Sequence, residues 1–93
     1  MKTIIEQFKN LKEKYPDAVL LFRCGDLYET YMDDAQTAAN VLGITMTRST
    51  KQKEDDVRGL RMAAFPHFKL EEYMKKLIRS GHRIAICDKI GFA

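Results

Sequence analysis

Asp26, Glu29, Asp33 and Asp34 place four carboxylates within nine residues, a density that suits a divalent cation poised for phosphodiester chemistry. The local pattern argues against that use. On an extended chain Asp26 and Glu29 fall on opposite faces, and Asp33-Asp34 stands at the start of a helical pattern, where carboxylates cap and offset the dipole. Leu27, Glu29 and Tyr31 share one face of the segment Leu27-Tyr28-Glu29-Thr30-Tyr31, with Tyr28 on the other. An apolar side chain on such a face can wedge between base steps, and an aromatic can stack on a base. A carboxylate there is repelled by phosphates unless it meets a donor on a base edge. The bland alternatives are an edge leucine covered by its neighbours and a solvated glutamate.

Arg48–Arg61 holds five basic residues (Arg48, Lys51, Lys53, Arg58, Arg61) and three acidic ones. A loop of this kind can grip phosphates through Arg48 and Lys51, although mixed charge is more often simply solvated. His67 and His82 lie far apart and have no Cys or His at zinc-site spacing. Cys24 and Cys87 lack a paired base and sit in apolar runs, as small hydrophobes do. No metal site or cofactor is expected, and no catalytic residue.

The elements that must position these residues read as α-β-β-α-β-β-α-β. A first helix over Thr3–Lys14 opens on a Thr3/Glu6 capping box, carries Ile4, Phe8, Leu11 and Tyr15 at helical spacing, and is stopped by Pro16. Val19–Arg23 is apolar on consecutive residues, the mark of a central strand. Gly25 makes the turn into a second strand, Leu27–Tyr31. Asp33, with Gln36 three residues on, is the expected cap of a second helix, whose small face Ala35, Ala38, Ala39 and Leu42 precedes Gly43 as its C-terminal residue. Ile44–Arg48 alternates as a strand, Ser49–Leu60 is a polar loop, and Arg61–Phe65 is a strand closed by Pro66. Leu70, Tyr73, Met74, Leu77 and Ile78 define an amphipathic helix ended by Gly81. The last strand, Arg83–Asp88, has an apolar run at Ile84–Cys87 that favours an interior position. The expected fold is α/β (α+β): a mixed sheet of about five strands flanked by three helices.

Ninety-three residues at 45% hydrophobic content support one small domain, 1–93, with one core. The net charge of +3 permits nucleic-acid binding without demanding it. No apolar run reaches the roughly 20 residues of a membrane span, and charges interrupt the N-terminal segment, so no signal peptide is expected. Two cysteines are too few for a disulfide framework and suggest a reducing, cytoplasmic setting.

The stretch VLLFRCGDLYETYMDDA, Val19–Ala35, resembles the start of the MutS family of DNA mismatch-repair proteins, whose pattern is an apolar strand, Gly-Asp-Phe-Tyr-Glu, an aromatic and Asp-Asp-Ala. MAAFPHF, Met62–Phe68, with Leu70, Glu71 and Tyr73 after it, is similar to the family's Met-Ala-Gly…Pro-Tyr-His segment, and AICDKIG, Ala85–Gly91, to its Ala-Ile-Cys-Glu-Gln-Ile-Gly. Phe8, Leu11, Lys12 and Tyr15-Pro16 match the opening Tyr…Leu-Lys…Pro layout. The resemblance covers essentially the whole chain and implies the N-terminal mismatch-recognition domain. In the family the Phe wedges beside a mispaired base and the Glu two residues later hydrogen-bonds that base. Glu29 keeps the second role, whereas Leu27 stands at the Phe position, a blunted wedge that Tyr31 could partly replace. Ala64 replaces the usual Gly, and His67-Phe68 stands for Tyr-His. No Gly-x-x-x-x-Gly-Lys-Ser/Thr sequence occurs, and the chain stops short of the family's connector, lever, clamp and ATPase domains. The implied function is a non-catalytic module for mismatched or distorted duplex DNA, with Leu27, Glu29, Tyr31, Arg48 and Lys51 at the interface. The alternative is a protein-interaction module, self-associating or binding a repair protein through a sheet edge or the Phe65–Phe68 surface.

Overall fold

A computed structural model describes residues 4–48 and 59–88. The elements run α1 (Ile4–Lys14), β1 (Ala18–Cys24), β2 (Leu27–Tyr31), α2 (Met32–Leu42), β3 (Met46–Arg48), β4 (Arg61–Pro66), a 3-10 turn (His67–Lys69), α3 (Leu70–Arg79) and β5 (Arg83–Asp88). The strands form one mixed sheet, as the sequence leads one to expect, in the order β3-β4-β2-β1-β5. β1 pairs antiparallel with β2 and parallel with β5. β2 and β3 pair antiparallel with β4.

Two expectations about position change. β5 is not interior: among the described residues it pairs only with β1. Its apolar run reflects coverage on both faces, Ala85 and Cys87 on the α1 side and Ile84 on the α3 side, while Ile86 stays exposed. Asp33 does not cap α2. The helix follows β2 with no intervening loop, Tyr31 occupies the cap position without a side-chain bond, and Asp33 instead pairs with Arg61 at 2.8 Å. Gly43 ends α2 as expected, at φ 72° with its N–H on the Ala39 carbonyl. Thr3 of the proposed capping box, Lys51 and the loop over 49–58 lie outside the described residues.

The sheet divides the core. On one face α1 lays Ile5 and Phe8 over Leu20, Phe22 and Tyr31, with Leu11 packed beside them. Tyr15, expected on this stripe, is exposed because the helix has ended. On the other face α2 and α3 bury Ala38, Leu42 and Leu77 against Val19, Leu21, Tyr28 and Phe65. Ala35 and Ala38 are fully buried, small enough to seat α2 closely. Ile78, the last member of the α3 stripe, faces solvent.

The transition from β2 to α2 leaves a gap in the ladder. Register pairing between β1 and β2 ends at Phe22 and Glu29, because the chain turns at Met32, which adopts a left-handed φ of 56°. The groups on β1 that β2 would have met are taken up by side chains. The Leu20 N–H donates to Asp34 Oδ2 at 3.1 Å, and Lys12 Nζ donates to the Ala18 carbonyl at 2.5 Å and to Asp34 Oδ1 at 2.8 Å. Asp34 is buried, so removing it strands a buried backbone donor and a half-buried ammonium. Asp34→Ala is expected to cost about 2–3 kcal/mol in urea denaturation, and Lys12→Met, which leaves the buried Asp34 carboxylate without its cation, at least as much. An unchanged midpoint in either variant would contradict this arrangement.

Candidate nucleic-acid interface

The β1–β2 turn carries the residues on which recognition would depend. Gly25 takes φ 63°, with no atom near the space a Cβ would fill, so its glycine is needed for backbone conformation rather than room. Arg23 Nε donates to the Gly25 carbonyl at 2.5 Å, and its guanidinium lies 5.5 Å from the Tyr28 ring centre. Behind the hairpin an aromatic column continues: Tyr28 to Phe65 at 5.7 Å, then Phe65 edge-on to Tyr73 at 4.9 Å. Lys76 lies over Tyr73. The hairpin is therefore backed by packed rings on the α3 side. On its other side the His67 N–H donates to the Asp26 carbonyl at 2.8 Å, tying the end of β4 to the same turn.

Cross-strand partners place Cys24, Leu27 and Pro66 in one row at this end of the sheet. Leu27 is 39% exposed, a large apolar side chain at the rim of a rigid turn. The next row on that face is Phe22, Glu29 and Ala64. Glu29 is only 3% exposed, and its Oε1 accepts the Tyr31 hydroxyl at 2.5 Å. Tyr31 is fully buried, its ring edge-on to Phe8 at 6.0 Å. The shared face of Leu27, Glu29 and Tyr31 is thus real but graded, from open at Leu27 to sealed at Tyr31. A ring committed to the core under α1 has no surface for a base; what Tyr31 offers is a hydroxyl that holds the Glu29 carboxylate. Beyond α1, the same face carries Thr47, Met62, Ala64 and Pro66, all half-buried or exposed.

Arg48 is not brought to Leu27. Their partners on β4, Arg61 and Pro66, are five residues apart, roughly 17 Å along the strand. Arg48 Nη1 donates to the Gly59 carbonyl at 3.1 Å, which leaves further guanidinium donors for other acceptors. By the same register Thr47, not Arg48, shares the face of Leu27; Arg48 and Arg61 project from the α2 side at the edge of the sheet. Of the four clustered carboxylates, Asp26 is exposed in the turn, Glu29 faces Tyr31, Asp33 faces Arg61 and Asp34 faces Lys12. No group of three metal-ligating side chains gathers among the described residues. Phe65 lies in the core, whereas Phe68 is 73% exposed. Sequence reasoning listed Phe68 only as part of a protein-binding surface; the signal for its position was its place two residues past the Pro that closes β4.

Fold and site together define a small α+β domain that presents a hairpin rim and a partly open sheet face. Residues 2–91 match the family model described as MutS domain I. The chain is 54% identical over 87 residues to the DNA mismatch repair protein MutS of Bacteroides fragilis, covering 94% of this chain and 10% of that protein. It is 52% identical over the same shares to MutS of Bacteroides thetaiotaomicron, and 47% identical to MutS of Salinibacter ruber, covering 94% of this chain and 9% of that protein. The chain belongs to the MutS domain I family. It spans about a tenth of the length of these relatives. No described helix is long and apolar enough to cross a membrane.

The Tyr31–Glu29 bond yields a direct check. Tyr31→Phe keeps the ring packed against Phe8 and removes only the hydroxyl, so thermal or urea denaturation should show a loss of about 1–3 kcal/mol. An unchanged midpoint would mean that the bond contributes nothing.

Proposed function

We propose that this chain is the DNA-recognition module of a mismatch-repair protein, a non-catalytic domain that takes mismatched or distorted duplex DNA on the open half of its sheet. The observation that carries this reading is Leu27, an exposed apolar side chain at the rim of a turn fixed by Gly25, Arg23 and the aromatic column, in a chain of the MutS domain I family. Leu27 enters a weakened base step as an apolar wedge, a role that leucine serves without a ring. Glu29, turned from Tyr31 toward the groove, accepts from a base-edge donor beside the wedge. Arg48, at the β3 edge of the sheet, and Lys51 hold phosphates. Any ATP-driven step of repair belongs to other domains of the protein.

A leucine wedge lacks the π surface that stacks on a base, so the preference for a mismatch is blunted. In titrations of a labelled duplex with one G·T mismatch against its perfect match, Leu27→Phe is expected to raise the mismatch preference about five- to tenfold over the unaltered chain. Arg48→Ala and Lys51→Ala should weaken both duplexes alike and each lower the salt slope by about one. Absence of binding to either duplex at low salt would overturn the proposal. A second reading draws on the exposed edge of β5 with Ile86, and on Phe68: self-association or docking of a repair protein. Sedimentation at high protein concentration tests its self-association arm, and a clean monomer counts against it.

A further inference from the structure

Phe68 is the most exposed of the large apolar side chains in the described structure, at 73%. An exposed phenylalanine on a loop is unremarkable by itself; its attachment is what matters. It sits in the middle of the 3-10 turn His67–Lys69 that directly follows β4. The preceding residue but one, Pro66, is the strand partner of Leu27, and the His67 N–H is bonded to the Asp26 carbonyl, immediately before Leu27. The turn that presents Phe68 is thereby bolted to the turn that presents Leu27. Two Cα–Cα steps of 3.8 Å and one strand spacing place the two Cα atoms within roughly 13 Å of each other, a span of about four base steps at 3.4 Å per step along one strand. The His67 ring meets Phe68 edge-to-face at 6.0 Å, which biases the direction of the ring. Lys69 follows, a half-exposed cation 3.4 Å from Glu72 in a surface ion pair that a phosphate can compete for.

We infer that Phe68 is a second apolar contact of the same DNA interface: its ring supplies, from the β4–α3 turn, the base-stacking surface that Leu27 lacks. The chemistry follows from what each side chain offers. Leu27 fills volume at a disturbed step but has no π face, whereas Phe68 has an unencumbered ring whose burial in the duplex would remove apolar surface from water as well as stack. Lys69 approaches the flanking phosphate. A protein partner would use the ring differently, for it would be indifferent to whether the duplex is mismatched. This inference rests on the proposed DNA-binding reading and adds a specificity-determining residue to it.

The test uses the full chain with duplexes that carry 2-aminopurine next to the mismatch, so that stacking is read by fluorescence independently of affinity. Phe68→Ala is expected to bind the mismatched duplex about tenfold more weakly and to lose the stacking-dependent fluorescence change. Phe68→Leu should recover part of the affinity but not the fluorescence signal, and Phe68→Tyr should recover both. The residue is exposed, so these variants should match the unaltered chain in denaturation midpoint. If Phe68→Ala binds and reports like the unaltered chain, this inference is overturned while the DNA reading stands. If the unaltered chain itself binds no duplex, the DNA reading fails and this inference with it.

Discussion

At Leu20 and Ala18 of β1 a backbone donor and a backbone acceptor lose their strand partner, because β2 turns straight into α2 at Met32. Asp34 and Lys12 fill that gap from two different helices. A buried carboxylate is costly unless it is both paired and hydrogen-bonded, and here one carboxylate completes a strand edge, anchors the first turn of α2 and draws α1 onto the sheet. The clasp thus ties α1 to β1 alongside the packing of Ile5 and Phe8 on the sheet, and the face beyond α1 stays open.

The same geometry explains the gradient along β2. Tyr31 sits beneath α1 and is sealed, Glu29 lies at the margin with its carboxylate on the Tyr31 hydroxyl, and Leu27 projects beyond the cover. A rim residue is useful for wedging only if its backbone does not yield, and this backbone is restrained from both sides. The Tyr28–Phe65–Tyr73 column backs it on the α3 face, and the His67–Asp26 bond holds it from β4. The Tyr31 hydroxyl holds the Glu29 carboxylate inward, which, under the proposed DNA reading, keeps it away from phosphates.

Much of this was legible in the residues. The order and number of elements followed from periodicity and from punctuation by Gly25, Gly43, Pro66 and Gly81, and the shared face of Leu27, Glu29 and Tyr31 followed from strand alternation. Burial along that face was not legible, because alternation gives the face and not the edge of the helix above it. The edge position of β5 was missed since a strand covered on both faces reads as interior whether or not it has a second neighbour. Asp33 and Asp34 were read as helix-start residues, a local role, when their partners Arg61, Lys12 and Leu20 are remote in sequence. For the same reason the place of Phe68 beside Leu27 emerged only with the register of β2 on β4. Family motifs pointed to Leu27 and Glu29, but only the sheet register shows that Arg48 stands at the β3 edge, remote from Leu27 and projecting from the α2 side.

The central claim is that duplex DNA lies on the open half of the sheet, from the Leu27 rim toward Thr47 at the β3 edge. Backbone amide chemical-shift mapping of the chain, titrated with a mismatched duplex, tests this most directly. The account predicts that perturbations concentrate at Gly25–Glu29, Ala64–Lys69 and Arg48, with the outer face of α3 left unchanged. Perturbations confined to α3 and β5 would contradict it.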